Sequence, residues 1–328
     1  MSTKSSDSAS RRIVVFGGYG FIGSHICRAL VDAGRVVRIF DKTYAQRQLI
    51  EDIEARIETI EGDIARPDDA LAALEGVDTV IHLIHTTVPG SSMLDPAYDV
   101  ESNVVASVRW LSRLAQTQVR KSIFVSSGGT VYGLPQSDLI NENHPTDPIS
   151  SYGITKLAIE KYVAMYCTMN SVQHLILRPS NVYGEGQRLH IGQGVIGVLA
   201  DNMLRSEQVE VWGTGESLRD YLYIEDFVSA VMGLLDYDGP YRVFNVASGT
   251  RNSVLDILAI LEREVGRRPE IVYKPSRGFD VPVNVLDSSL LRAETGWEPR
   301  VGLEEGVARV VRWLRSEQER PALGAASS

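Results

Sequence analysis

Short runs rich in β-branched residues alternate with longer amphipathic runs through the first half of this 328-residue chain, and that alternation constrains the fold most. The short runs predict strands at 13–16, 36–40, 57–61, 79–83, 123–126 and 174–177. The longer runs predict helices at 21–33, 67–74, 100–118 and 152–169. Parallel strands need a crossover segment, usually a helix, so the pattern predicts an α/β fold with a Rossmann-type doubly wound parallel sheet.

The texture of the sequence changes after Arg178, where glycine-containing loops surround short predicted helices at about 195–204, 225–235, 254–265 and 303–315. We expect residues 11–178 to form a dinucleotide-binding domain and residues 179–321 mainly a smaller C-terminal α/β substrate-binding region. No clear linker separates them, so the second region should pack against the ends of the sheet strands. The polar ends, 1–10 and 322–328, are predicted to be disordered tails.

The charge balance restricts the partners. A formal net charge of −9 and a pI near 5.3 argue against a nucleic-acid or anionic-membrane binder, because either surface would repel the protein as a whole. No run approaches the roughly 20 apolar residues of a membrane span. The two cysteines, Cys27 and Cys167, lie in apolar helical patterns and predict buried free thiols, which suits a cytoplasmic protein.

Three spaced glycines follow the first predicted strand in Gly17-Gly18-Tyr19-Gly20-Phe21-Ile22-Gly23. Gly17 would allow a tight turn, Gly20 would let a pyrophosphate approach the backbone and the helix N-terminus, and Gly23 would let the helix pack closely. We therefore predict that this turn, including Phe21 and Ile22, binds a dinucleotide.

A carboxylate at the end of the second strand indicates which dinucleotide. Asp41 lies 18 residues after Gly23, where it would accept hydrogen bonds from ribose hydroxyls and repel a 2′-phosphate, which favours NAD. Lys42, the next residue, is assigned to the cofactor site. Lys42 and Arg47 could instead be solvated loop charges that do not contact the cofactor. Asp63, followed by Ile64, could hydrogen-bond the adenine amino group or could simply form a turn.

A second motif concerns proton transfer. Tyr152 and Lys156 are four residues apart on a predicted helix and should share one face. A neighbouring cation favours phenolate, so Lys156 would lower the pKa of the tyrosine from about 10 towards neutrality. Tyr152 could then serve as the general base that takes a proton from an alcohol. The spacing alone is common on helix surfaces, and its context gives it weight.

Taken in order, the motifs resemble those of the extended short-chain dehydrogenase/reductases and, within them, the NAD-dependent epimerase/dehydratase family that acts on sugar nucleotides, similar to UDP-glucose 4-epimerases. The likeness covers nearly all of residues 12–315. It rests on the glycine turn, Asp41, Gly62-Asp63, Ser126-Ser127-Gly128-Gly129-Thr130-Val131-Tyr132-Gly133, Tyr152/Lys156, Arg178-Pro179-Ser180-Asn181-Val182-Tyr183-Gly184, Arg219-Asp220-Tyr221 and Arg277-Gly278-Phe279-Asp280.

The resemblance implies roles for these residues. Tyr152 would remove a hydroxyl proton while C4 of the sugar passes hydride to NAD, and Lys156 would hold the nicotinamide ribose. In an epimerase the keto sugar then swings and takes the hydride back on its other face. Substrate contacts around the nucleotide diphosphate and its ribose would come from Asn181, Arg219, Arg277 and Asp280. Trp212 would lie beside the nucleobase, expected to be uridine, or would pack under a loop.

The sequence departs from the family pattern at one catalytic position. Counting back from Gly133, the family's catalytic serine or threonine falls at Gly128, which offers no hydroxyl. Ser127, Thr130 or a bound water could replace it. Thr130 is preferred because, in an extended segment, it would point to the same side as Gly128.

The same segment bears on the reaction. The family's dehydratases carry Asp-Glu at what are here Gly129 and Thr130, and related decarboxylases keep the glutamate; neither carboxylate is present. A one-way ketoreductase would usually use NADPH, which Asp41 disfavours. We therefore expect an NAD-dependent UDP-hexose 4-epimerase. The alternatives are a dehydratase, a ketoreductase, or a catalytically silent protein that binds NAD or nucleotide.

Some positions have weaker assignments. After the fourth strand, Leu83 is assigned to the cofactor, and His85 and Thr86 to the sugar, whereas His82 is expected to be structural. Gln193 belongs to a loop expected to face the sugar, with Glu185, Gln187 and Arg188. No metal site is expected. Helices 100–118 and 152–169 match those that form a dimer interface in relatives, which predicts a homodimer, although their apolar faces could equally cover the sheet.

Overall fold

Seven parallel strands form the central sheet of the computed structural model, which describes residues 12–43, 45, 47–189, 194–276, 278 and 281–319. The strands of the first half are β1 (Arg12–Phe16), β2 (Val36–Asp41), β3 (Ile57–Glu61), β4 (Thr79–His82), β5 (Lys121–Val125) and β6 (Gln173–Pro179). Those of the second half are β7 (Asn181–Tyr183), β8 (Val209–Trp212), β9 (Leu218–Arg219), β10 (Tyr221–Tyr223), β11 (Val243–Val246), β12 (Ile271–Lys274) and β13 (Val283–Asn284).

The order across the sheet is β11-β6-β5-β4-β1-β2-β3. The chain therefore runs outward from β1 to β3 and then resumes at β4 on the other side of β1. This reversal is the topological switch point, and open parallel sheets bind ligands in the crevice at the carboxyl ends of the strands there. The Rossmann-type α/β fold predicted from the alternation is confirmed.

Helices cover both faces of the sheet. They are α1 (Phe21–Asp32), α2 (Pro67–Leu74), α3 (Pro89–Ser92), α4 (Pro96–Asp99), α5 (Ala106–Leu111), α6 (Ser151–Met169), α7 (Val195–Arg205), α8 (Ile224–Leu234), α9 (Val254–Val265), α10 (Ser289–Thr295) and α11 (Leu303–Glu319). One apolar core contains residues of α1, α7, α8 and α11, and the other contains residues of α2, α5 and α6. Cys27 is buried in the first core and Cys167 in the second, both as free thiols, as predicted.

The helix expected at 100–118 is the main departure from the predicted elements. In its place lie a π-helical segment, Val100–Val105, then α5, then a 3₁₀ turn, Leu114–Gln116. Asn103 provides the physical reason, because its side chain donates to both the backbone oxygen and Oδ1 of Asp99 and accepts from the amide of Thr86. Widened turns of this kind often occur at functional sites.

The second half of the chain is built around the same sheet. Strand β11 pairs in parallel with β6 and becomes the edge strand, so the sheet extends beyond residue 178, the expected domain boundary. The pairs β7–β10, β8–β12 and β9–β13 form small two-stranded sheets. The terminal segments 1–10 and 322–328 lie outside the described residues. Within the described part of the chain, no helix combines the length and apolarity needed to cross a membrane.

Candidate active site

The glycine turn after β1 leads into α1 with the geometry that a dinucleotide requires. Gly17 has φ +88°, a conformation that favours glycine. A Cβ at Gly23 would lie 2.1 Å from the carbonyl oxygen of Gly17, so only glycine lets the helix pack on the turn. Gly20 precedes α1 and contributes no capping side chain, which leaves the helix N-terminus suited to an anion.

Asp41 is held by backbone amides at the end of β2. Its Oδ2 accepts from the amide of Tyr19 at 3.1 Å and its Oδ1 from the amide of Lys42 at 2.9 Å. Burial raises the pKa of this carboxyl group, against the lowering effect of those hydrogen bonds and of Arg188 and Lys42. Arg47 forms ion pairs with Glu54 and Glu61, so its charge is directed towards those carboxylates.

Asp63 adopts the turn-forming role that the sequence left open. Its Oδ1 accepts from the amide of Ala65 at 3.0 Å, and its Oδ2 lies 3.4 Å from Nζ of Lys42. Its neighbour Ile64, rather than Asp63, lines the cavity described next.

A cavity of about 1150 Å³ runs from the glycine turn, past the ends of the strands, to the small sheets of the second half. Its lining includes most of the predicted cofactor residues, namely Gly17, Gly20, Phe21, Ile22, Gly23, Asp41, Lys42, Ile64 and Leu83. It also includes Ser127, Thr130, Tyr152, Lys156, His85, Thr86, Asn181, Trp212 and Arg219. The fold thus brings both motifs, separated by more than a hundred residues of sequence, to one cavity.

Tyr152 and Lys156 lie in the first two turns of α6, on the helix face towards the sheet. Ser150 caps this helix by accepting from the amide of Gly153. Nζ of Lys156 donates to the carbonyl oxygen of Val125 at 2.9 Å and lies 5.7 Å from the centre of the Tyr152 ring. Burial lowers the pKa of Lys156 to about 7, while Glu160 and Asp99 act to raise it.

The segment that should carry the missing hydroxyl is a turn and not the extended chain that the preference for Thr130 assumed. The amides of Thr130 and Val131 both donate to the carbonyl oxygen of Ser127. Ser127 and Thr130 nevertheless both line the cavity. Oγ1 of Thr130 is buried, and among the described residues it has no hydrogen-bond partner.

Gly128 does not line the cavity, although both of its neighbours do. A Cβ at this position would lie 2.3 Å from Cδ1 of Leu286 and about 3 Å from the carbonyl oxygens of Arg178 and Pro179. The direction in which a side chain would leave position 128 is occupied by protein.

His85 and Asp99 form a polar cluster next to Tyr152 that the sequence did not predict. The rings of His85 and Tyr152 meet edge to face, with their centres 4.6 Å apart. Nε2 of His85 lies 3.6 Å from Oδ1 of Asp99, and both side chains are buried. Burial, followed by the charge of Lys156, lowers the pKa of His85 to about 4, with Asp99 acting in the opposite direction.

The far end of the cavity is formed by the second half of the chain. Asn181 follows β6 and donates to the backbone oxygen of Asp220, while Arg219 lies in β9 and donates to the backbone oxygen of Leu218. Trp212, at the end of β8, lines the cavity and is 46% exposed. Gln193, Arg277 and Asp280 lie outside the described residues.

Sequence reasoning missed one wall of this cavity. Helix α7 contributes an apolar face to the lining, through Val195, Ile196, Val198 and Leu199. The helix itself was predicted, but a buried face pointing at a ligand and one pointing at a core have the same periodicity. Within the described ranges, no group of three or more His, Cys, Asp or Glu side chains could hold a metal ion.

Comparison with known proteins places this geometry in a family context. The model of the NAD-dependent epimerase/dehydratase family matches residues 13–247. A UDP-glucose 4-epimerase of Mycolicibacterium smegmatis is 31% identical over 312 residues, covering 94% of this chain and 100% of the relative. A dTDP-4-dehydro-6-deoxyglucose reductase of Escherichia coli is 30% identical over 328 residues, covering 94% and 99%. The crystal structure of a Thermotoga maritima UDP-glucose 4-epimerase with UDP-glucose superimposes with a TM-score of 0.88 at 32% identity, covering 94% of this chain and 100% of that one.

Proposed function

The chain belongs to the NAD-dependent epimerase/dehydratase family, and we propose that it is a UDP-hexose 4-epimerase that works by transient oxidation and re-reduction of C4. The observation that carries this proposal is the shared cavity, in which the Tyr152/Lys156 pair and the glycine turn with Asp41 line one continuous space. A site for alcohol deprotonation and a site for a dinucleotide thus adjoin. The UDP-glucose 4-epimerases that the chain resembles over nearly its whole length support the substrate class.

The residues at the glycine turn fit NAD. The open N-terminus of α1 suits the pyrophosphate, and the carboxylate of Asp41 suits a ribose with both hydroxyls free. When bound, NAD supplies a hydride acceptor that can return what it accepts. Tyr152, as the phenolate, takes the proton from the C4 hydroxyl and gives it back when C4 is reduced again. Lys156 stabilises the phenolate before the first transfer and after the second.

The carboxylates of the cavity weigh against dehydration. Expulsion of water from C5 and C6 requires an acid and a base near the sugar. Among the described lining residues the carboxylates are Asp41 and Glu210, and Glu210 pairs with Lys274 at 3.2 Å. Neither lies on the turn or helix that carries the proposed catalytic groups, so this part of the chain offers no pair for that chemistry.

A 4-ketoreductase is the second candidate, because the Escherichia coli reductase is nearly as similar as the epimerases. Arg188 lines the cavity and acts on Asp41, so cationic charge is present at the ribose edge. Asp41 still disfavours a 2′-phosphate. Oxidation of NADPH by a 4-keto sugar nucleotide, without epimerisation, would favour this candidate.

The test is incubation of the purified protein with UDP-glucose, UDP-N-acetylglucosamine and UDP-glucuronate, followed by separation of the C4 epimers. With UDP-glucose deuterated at C4, we expect the epimer to retain its deuterium, because the hydride returns to the carbon that it left. Tyr152→Phe should abolish conversion while NAD remains bound. No conversion of any sugar nucleotide by NAD-loaded protein would refute the proposal, and retained activity in Tyr152→Phe would refute the role of the base.

We further propose that two copies associate through α6. While one face of this helix covers the sheet, the other exposes the apolar side chains of Ile154, Tyr162, Met165 and Met169. An apolar stripe of this kind is typical of a helix-pairing interface. Light scattering should give a dimer mass, and Met165→Asp should give a monomer. A monomeric parent protein would contradict the dimer.

We also propose that the protein is cytoplasmic, because free thiols such as that of Cys27 stay reduced there.

A further inference from the structure

A single buried carboxylate connects the loop that carries His85 with the helical turn that carries Tyr152. Oδ1 of Asp99 accepts from Thr87 and from Nδ2 of Asn103 at 2.9 Å, which holds the loop after β4. Its Oδ2 accepts from Ser151 at 2.6 Å and from Thr155 at 3.2 Å. Hydrogen bonds to a charged group of this kind are among the stronger ones in proteins. The loop and the start of α6 are therefore fixed relative to each other.

The two residues that donate to Oδ2 lie on either side of Tyr152 in sequence. Ser151 precedes it, and Thr155 lies three positions after it. The amide of Tyr152 itself donates to Oγ of Ser92 at 3.1 Å, which ties the backbone of this residue to α3. These bonds fix the backbone at Tyr152, and the tilt of its ring depends also on the groups that pack against it.

His85 is the aromatic group that packs there. Its ring meets the Tyr152 ring at 73°, with centres 4.6 Å apart, in the edge-to-face arrangement that aromatic pairs favour. Its side chain is only 5% exposed. Nε2 faces Oδ1 of Asp99 at 3.6 Å, which is longer than a hydrogen bond but close enough for an electrostatic contact. The buried carboxylate of Asp99 thus holds the imidazole beside the Tyr152 ring.

We propose that His85, held by Asp99, is a positioning residue that sets the tilt of the Tyr152 ring relative to Lys156 and the sugar. The role rests on the proposed function, in which Tyr152 is the base. It answers a need particular to this chain, because position 128 directs no side chain towards the tyrosine. The imidazole acts by its shape, since burial keeps it neutral near pH 7.

The proposal makes a specific prediction about charge. Among the described residues, the titratable groups that face Tyr152 include Lys156 on α6 and His85 on the loop, while Asp99 on α4 and Glu160 on α6 act on Lys156. If the ring turns away from Lys156, the phenolate loses its cation and the phenol becomes harder to ionise. When kcat is measured as a function of pH, its fall on the acidic side should then occur at higher pH than in the parent protein.

Two variants of similar volume separate ring packing from the loss of the nitrogens. His85→Phe keeps a planar edge against Tyr152, and His85→Leu removes it, while both lose the contact with Asp99. We expect His85→Leu to lower kcat about 10–100-fold, in line with a displaced catalytic group, with little change in KM and with its acidic limb shifted upward. His85→Phe should retain most of kcat and the parent pH profile. Equal kcat values and equal profiles for the two variants would overturn the proposal.

A second readout does not depend on turnover. In crystal structures of the two variants with NAD, the Tyr152 ring should be rotated in His85→Leu and unmoved in His85→Phe. An unmoved ring in His85→Leu would overturn the positioning role even if the parent protein were inactive on every UDP-sugar. Inactivity of the parent protein would count against the epimerase proposal alone. Circular dichroism and NAD affinity would establish that both variants fold.

Discussion

Restoring serine at position 128 should harm this protein rather than improve it. A Cβ at this position would lie 2.3 Å from Cδ1 of Leu286, whereas carbon atoms in contact lie at about 3.5–4.0 Å, so one group must move by more than about 1 Å. Leu286 is fully buried and packs with Val131 and Tyr132, which leaves it little room to retreat. Overpacking of this kind costs about 1–3 kcal/mol.

The backbone cannot easily give way either. The amide of Gly128 donates to the carbonyl oxygen of Pro179 at 2.8 Å, and its own carbonyl oxygen accepts from Nδ2 of Asn284 at 3.3 Å. The Cβ of a serine would lie about 3 Å from the carbonyl oxygens of Arg178 and Pro179, and Gly128 does not line the cavity. We therefore expect Gly128→Ser to lower the free energy of unfolding by about 1–3 kcal/mol and to leave kcat no higher than in the parent protein.

The assay is urea unfolding at one fixed NAD concentration, together with C4-epimer formation from UDP-glucose. Gly128→Ala introduces the same clash without the hydroxyl and should be equally destabilised. The neighbouring Gly129→Ala is the matched control, because its Cβ would meet nothing closer than Oγ of Ser127 at 3.9 Å. Gly129→Ala should change stability by less than about 0.5 kcal/mol. A Gly128→Ser protein as stable as the parent and with a higher kcat would show that the serine reaches Tyr152.

Three other predictions follow from buried polar groups. Thr130→Val should lower kcat about 10–100-fold, as expected for the loss of a hydrogen bond of about 1.5–3 kcal/mol to the reacting oxygen. A larger loss of kcat in Ser127→Ala would show that Ser127, and not Thr130, makes this hydrogen bond. Burial lowers the pKa of His85 to about 4, so below about pH 6.5 this side chain is protonated in the unfolded chain but stays neutral in the folded protein. Between pH 7 and pH 5, protonation of His85 in the unfolded chain should lower the free energy of unfolding by about 2 kcal/mol. Urea unfolding should therefore show a smaller loss of stability over this pH range for His85→Phe than for the parent protein. Equal losses in the two proteins would contradict the lowered pKa of His85. Glu160→Gln should lower the free energy of unfolding by about 3–5 kcal/mol, because Arg178 donates to both oxygens of Glu160 inside the protein and would be left as a buried, unpaired charge. Thermal unfolding should show a smaller loss when Arg178→Met is added to Glu160→Gln. An unchanged unfolding midpoint in Glu160→Gln alone would contradict this account.

The fold was predictable because its signals are local. Alternating strand and helix patterns and the turn that requires Gly17 and Gly23 depend on residues close in sequence, and they gave the sheet and its ligand edge. The helix expected at 100–118 is helical over most of that range, but its first turns are widened into a π-helical segment and the α-helix ends at Leu111. The buried side chain of Asn103 bonds to Asp99 and Thr86 and widens the helical turn. No local sequence pattern predicts the bond from the amide of Thr86 to Asn103.

The cluster around Tyr152 depends on distances that the sequence does not contain. Asp99 lies 52 residues from Ser151, and a lone aspartate after a proline normally reads as a helix cap or a solvated charge. His85 was predicted to face the sugar, but its contact with the edge of the Tyr152 ring depends on how the loop after β4 approaches α6. Spacing shows which residues share an element, but not which elements meet.

Gly128 shows why a motif should be interpreted by direction as well as by position. Counting along the sequence assigns the absent hydroxyl to this residue, and the natural reading is a site that has lost a catalytic group. The structure directs position 128 towards Leu286. The buried hydroxyl of Thr130, which has no hydrogen-bond partner in the described part of the chain, and the ring of His85 lie in the cavity wall with Tyr152. One family side chain can both donate a hydrogen bond and hold the tyrosine in place. In this chain the same two tasks fall to separate residues, so Thr130→Val and His85→Leu should remove different interactions and their effects on kcat should be close to additive. Strong non-additivity in the double variant would mean that the two residues serve one task.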